Sequence, residues 1–161
     1  HSAEQTAEIA VIFKDLKTPF ITHQPAYNMY NRWIEDGLQD VLTANKLGTI
    51  AFSPLAQGMQ TDRYLHGIPE DSRAGRSSSP FLNAERVQET IEKSRALNEI
   101  AQRRGQTLAE MAVAWILRDG KVTSVLIGAS RVSQIDDNVK ALENLAFSNE
   151  ELDEIEAVLA K

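Results

Sequence analysis

The 161 residues contain no cysteine, which excludes a disulfide scaffold and is compatible with a reducing compartment. Histidine is scarce. The three histidines, at positions 1, 23 and 66, are far apart and without close carboxylate pairs, so no metal site is expected. No apolar run reaches the length of a membrane span, and His1-Ser2-Ala3-Glu4-Gln5 has neither the basic nor the apolar part of a signal peptide. The expectation is a cytoplasmic chain without a membrane partner. Basic residues are in deficit, with a net charge of −6, which argues against a nucleic-acid surface. A Gly-x-Ser-x-Gly elbow, a Walker loop, an internal repeat and a coiled-coil pattern are all missing.

A hydrophobic content of 42% in a chain of this length is enough for one globular domain with a core, residues 1–161. The acidic residues gather late, in Glu150, Glu151, Asp153, Glu154 and Glu156, and read as a solvated helix face. The arginines are placed differently. Arg63, Arg73, Arg76 and Arg131 fall in or beside expected loops, and a local basic pocket on an acidic protein suits a small anionic ligand.

Along the chain, Ser2 and Gln5 have capping-box spacing, and Ile9, Ile12, Phe13 and Leu16 recur at helical intervals, predicting a helix over 3–16 that Pro19 ends. Residues 20–24 read as a buried strand and 25–28 as its exit loop. A second helix is predicted over 35–46, with Gly48 just beyond it, and a second strand over 49–53, stopped by Pro54. The stretch from Leu55 to about Asn83, with a serine triplet at 77–79, has no sustained period, and a loop of that length is more often functional than idle. Helices follow over 84–104 and 107–118, the latter opened by the capping box Thr107 to Glu110. Its Met111 and Trp115 are core residues by spacing. A third strand over 122–127, a helix over 131–143 and a last helix capped at Ser148 complete the series.

Alternation of this kind implies parallel strands joined by right-handed helical crossovers, an α/β architecture. Three such strands make an unsatisfactory whole, because both outer strands would keep unpaired edges. A closed eight-stranded barrel takes about 250 residues. The chain is therefore expected to be the C-terminal part, about three strands with their helices, of a (β/α)8 barrel.

The stretch Val125-Leu126-Ile127-Gly128-Ala129-Ser130-Arg131 is where chemistry concentrates. An apolar run ends in glycine and serine, an arginine follows, and Gln134, Asp137 and Asn138 lie on the next helix. A helix beginning at the carboxyl end of a parallel strand offers N–H groups and a positive dipole end to an anion. Two other motifs accompany it, His23-Gln24-Pro25-Ala26-Tyr27-Asn28 and Ala51-Phe52-Ser53-Pro54-Leu55-Ala56-Gln57-Gly58. In order and spacing the three resemble the aldo-keto reductases, in the branch of the bacterial L-glyceraldehyde 3-phosphate reductases, which is similar to the voltage-gated potassium channel β subunits. Gly67-Ile68-Pro69-Glu70-Asp71-Ser72-Arg73 matches the same branch.

The resemblance implies NADPH bound across the strand ends and reduction of small aldehydes or ketones to alcohols. It places Gln24 on the nicotinamide carboxamide and Phe52 on the nicotinamide face, although a core phenylalanine is the competing reading. Ser53, Pro54, Leu55, Ala56 and Gln57 match the loop around the pyrophosphate, with Arg63 and Arg73 pinning it. Gly128, Ser130 and Arg131 match the 2′-phosphate site, and Gln134, Asp137 and Asn138 the adenosine, Asp137 being one methylene shorter than the commoner Glu. Tyr27 and Trp33 could line the substrate entrance, but packing explains them equally well.

The family's catalytic Asp, Tyr, Lys and His match no position here, so the chain is expected to supply the cofactor-binding half and no catalytic residue. Its implied partner is a small carbonyl substrate, with homo-oligomer formation left open. The alternatives are a nucleotide-holding regulatory subunit of the channel type and an inactive half-barrel.

Overall fold

The computed structural model describes residues 1–75 and 82–160. Arg76 and the serine triplet at 77–79 lie outside the described residues. The elements are α1 (Ala3–Asp15), β1 (Thr22–His23), α2 (Leu38–Ala44), β2 (Gly48–Phe52), α3 (Ala84–Arg103), α4 (Leu108–Leu117), β3 (Ser124–Leu126), α5 (Val132–Lys140) and α6 (Asn149–Leu159). Short 3-10 turns add Trp33–Glu35, Ala56–Gly58, Asp62–Tyr64 and Ala141–Glu143.

Helix starts follow their caps. Ser2, Thr107 and Ser148 each accept from the N–H three residues on, and Gln5, Glu110 and Glu151 each accept from the cap N–H in return. All three capping boxes stand where the sequence placed them. The second helix is shorter than the sequence suggests. Gly37 has φ +80°, a left-handed conformation that breaks the helical path, so Trp33–Glu35 forms a separate turn and α2 begins only at Leu38. The helix expected over 131–143 ends at Lys140 and tightens into a 3-10 turn.

The three strands form one parallel sheet in the order β1-β2-β3. Thr22 pairs with Gly48, His23 with Thr49, Ile50 with Ser124 and Phe52 with Leu126. Side chains alternate across it. His23, Thr49 and Ala51 are buried, whereas Phe52 and Leu126 stay open. Helix α4 is the centre of the core, with Leu108, Met111, Ala112, Trp115 and Ile116 all buried. Tyr27, Leu38, Leu42, Leu97, Ile100 and Ile155 pack around it.

This is an α/β fold of three parallel strands with flanking helices, an open part of a (β/α)8-type barrel and not a closed one. Both flanks show it. Val11 and Ile12 on α1, with Leu16 just after it, are exposed at one side, and Val132, Ile135 and Val139 on α5 at the other. Among the described residues, no helix is long and apolar enough to cross a membrane.

Candidate functional site

The carboxyl ends of the strands open into two adjoining grooves. At the exit of β2, Phe52 presents a partly exposed ring and the chain turns sharply. Ser53, Ala56 and Gln57 all take positive φ, at 55°, 47° and 62°. Three non-glycine residues in the left-handed region within five positions is a strained arrangement that only surrounding contacts maintain. Asn28, buried in the β1 exit loop, supplies one of those contacts by donating from Nδ2 to the Ser53 carbonyl at 2.9 Å. Its Oδ1 accepts from the Tyr30 N–H at 2.9 Å, a turn closed two residues on.

One groove is lined by Phe52, Ser53, Pro54, Leu55, Gln57, Arg63, Arg73, Gly128 and Ser130. Arg73 donates to Gln57 Oε1, and Arg63 faces Asp71 at 3.3 Å. The other is lined by Leu55, Arg63, Gly128, Arg131, Gln134, Asp137 and Asn138, with Asn98 and Gln102 entering from α3. Leu55, Thr61, Arg63, Gly128 and Gln134 border both. The two grooves therefore form one path from the Phe52 ring to the first turn of α5.

At that turn, Gln134 Oε1 accepts from the Ser130 N–H at 2.8 Å. Asp137 stands 3.8 Å from Lys140 Nζ. Asn138 is buried, and its Oδ1 has no hydrogen-bond partner among the described residues. A buried acceptor without a donor is costly.

Not every expected site residue lies on this path. Gln24 is exposed at the end of β1, outside both grooves. Ala56 is buried in a small cluster with Met59, Tyr64 and Leu82, so it shapes the loop from behind. Tyr27, for which the sequence leaves substrate entrance and packing open, is packed in the core. It is 1% exposed, stacks against Trp115 at 5.5 Å and donates to Glu35 Oε1 at 2.7 Å. Burial, reinforced by that carboxylate, pushes its hydroxyl up to about 12. Trp33 is half exposed and donates to the Ala26 carbonyl at 3.0 Å.

His23, behind the strand end, has both ring nitrogens buried and without a partner among the described residues, and burial lowers its pKa. No group of three or more metal-ligating side chains occurs among the described residues. The sequence reading missed Asn28, Asn98 and Gln102 as site-forming residues. Asn98 and Gln102 carry a faint signal, polar side chains four apart on one face of a helix.

Comparison with known proteins agrees with this geometry. Residues 1–160 match the aldo/keto reductase family, and the chain belongs to it. It is 47% identical to the L-glyceraldehyde 3-phosphate reductase of Escherichia coli K12, over 99% of this chain and 47% of that protein. It is 37% identical to a probable voltage-gated potassium channel subunit beta of Oryza sativa, over 98% of this chain and 50% of the relative. The solved glycerol dehydrogenase of Gluconobacter oxydans superposes with a TM-score of 0.77 at 25% identity, covering 95% of this chain and 46% of that one. The chain thus spans about half the length of the curated relatives it matches.

Proposed function

We propose that this chain supplies the cofactor-binding half of an NADPH-dependent aldo-keto reductase acting on small aldehydes or ketones. The observation that carries the reading is the continuous groove, in which residues from two separated motifs, and arginines from the loop between them, meet at the carboxyl ends of parallel strands.

The residues present fit such a cofactor. Arg131 and Ser130 would hold the 2′-phosphate at the start of α5, where N–H groups and the helix dipole favour an anion. Arg63 and Arg73, beside the fixed loop 53–57, would neutralise the pyrophosphate. Asp137 and Asn138, which line the groove, would take the adenosine. The open ring of Phe52 would stack on the nicotinamide, whereas Gln24, outside both grooves, holds the carboxamide only by the resemblance. When bound, the nicotinamide supplies a hydride to the carbonyl carbon. The protein's part here is to fix the ring and exclude water from one of its faces.

The test is titration of the chain with NADPH and NADH, followed by cofactor fluorescence. Tighter binding of NADPH is expected; no binding, or equal binding of both, would refute the proposal. A second reading, a nucleotide-holding regulatory subunit, draws on the likeness to the rice channel subunit. Turnover with a panel of small aldehydes, measured on a complete barrel that contains this sequence, separates the two.

A further inference from the structure

The segment 69–75 is folded more tightly than a connecting loop requires. Ser72 is 1% exposed, and its hydroxyl is used in both directions, donating to the Pro69 carbonyl at 2.6 Å and accepting from the Gly75 N–H at 3.1 Å. The Ser72 N–H also donates to the Pro69 carbonyl, at 3.0 Å. One side chain thus ties the chain three residues back to the chain three residues on. Gly75 completes the closure. A Cβ there would stand 2.4 Å from the Pro69 carbonyl oxygen and 2.8 Å from that of Glu70, so no other residue fits without opening the turn.

What the turn carries gives it a purpose. Ser72 is buried on one side of Arg73, and Ala74 is buried on the other, in the cluster with Ala56, Met59 and Tyr64. With both neighbours fixed, the exposed side chain of Arg73 is directed outward to Gln57 Oε1, along the groove that begins at Phe52. Asp71, on the same turn, faces Arg63, and Arg63, Asp71 and Arg73 all line that groove. Ordering a long, flexible arginine costs binding free energy, and a backbone held on both sides of it lowers that cost.

We infer that Ser72 is a positioning residue for dinucleotide binding: its hydroxyl, with Gly75, closes the turn that aims Arg73 at the pyrophosphate. This rests on the reading of Arg73 as a pyrophosphate contact and goes beyond it, since Ser72 is buried and acts only through its neighbour.

The experiment is a double-mutant cycle in which Ser72→Ala, Arg73→Ala and the double variant are titrated with NADPH by calorimetry. Adenosine 2′-monophosphate is the probe that lacks a pyrophosphate, and urea midpoints report folding. Arg73→Ala is expected to weaken NADPH about tenfold. Ser72→Ala should weaken it about threefold to tenfold, by misplacing the guanidinium. In the Arg73→Ala background the same Ser72→Ala change should cost less than about twofold, because no guanidinium is left to misplace. Adenosine 2′-monophosphate should stay within about twofold throughout, since it never reaches Arg73. Gly75→Ala, which opens the turn from the backbone, should reproduce the pattern of Ser72→Ala. Unchanged NADPH affinity in both Ser72→Ala and Gly75→Ala overturns the inference. An equal loss with and without Arg73, or a loss shared by adenosine 2′-monophosphate, overturns it as well, by making Ser72 a structural residue only. If Arg73→Ala itself leaves NADPH affinity unchanged, the pyrophosphate reading fails and takes the inference with it.

Discussion

Arg131 is the residue on which cofactor preference is expected to turn. A guanidinium can make a paired, charge-assisted contact to phosphate, worth roughly 1.5–3 kcal/mol. Each 1.4 kcal/mol is about tenfold in affinity, so Arg131→Ala should weaken NADPH by about one to two orders of magnitude and leave NADH nearly unchanged. Parallel titrations of the variant with both cofactors check this, and equal losses would contradict it. The sequence made Arg131 legible because its type and place each point to an anion. Asn138 could be named from the sequence as a candidate but not as a buried, unsatisfied acceptor, since satisfaction depends on neighbours that no local pattern specifies. For Tyr27 the sequence left entrance and core equally open, and it is the ring of Trp115 and the Glu35 carboxylate that hold it in the core.

Secondary-structure elements were most legible where side chains act on their own backbone. Each of the three boxes at Ser2, Thr107 and Ser148 needs only residues three apart, which is why the sequence located them. Thr107→Ala is expected to cost about 1 kcal/mol, read as a lower midpoint in urea with an unchanged slope. Trp115→Ala, in contrast, removes the centre of the core and the surface on which Arg118 lies at 3.8 Å, so about 3–5 kcal/mol should be lost. A loss below about 1 kcal/mol would show that α4 is not the centre of packing. What stayed hidden were breaks set by single dihedral angles. Gly37 divides one expected helix, and the left-handed Ser53, Ala56 and Gln57 give the long loop its course. Neither is encoded in an apolar period.

At the scale of the whole molecule, stability is tied to pH from both sides. Burial alone would raise the pKa of Glu35, but hydrogen bonds from Arg32 and Tyr27 hold it below the usual carboxylate range. A depressed carboxyl stabilises the fold above its unfolded pKa, and that contribution is lost as pH falls through the lower folded value. Tyr27 and Tyr30 behave oppositely. Burial raises both to about 12 from 10.0, so their contribution is complete below pH 10.0 and lost as pH rises toward 12. Denaturant midpoints should therefore fall between pH 10 and 12, less steeply in Tyr30→Phe, and a flat profile there would refute the assignment. The parallel strands and the open barrel followed from the alternation of elements and from counting strands against what a closed sheet needs. The exposed α1 and α5 flanks are the physical form of that shortfall.

The turn after β2 carries a thermodynamic consequence. Ser53, Ala56 and Gln57 already sit in conformations that a free chain seldom visits, held there by Asn28 and Arg73. The ordering of this loop belongs to folding, so association should proceed with little further loss of backbone entropy. Calorimetry would register a dinucleotide meeting a mould that is already set.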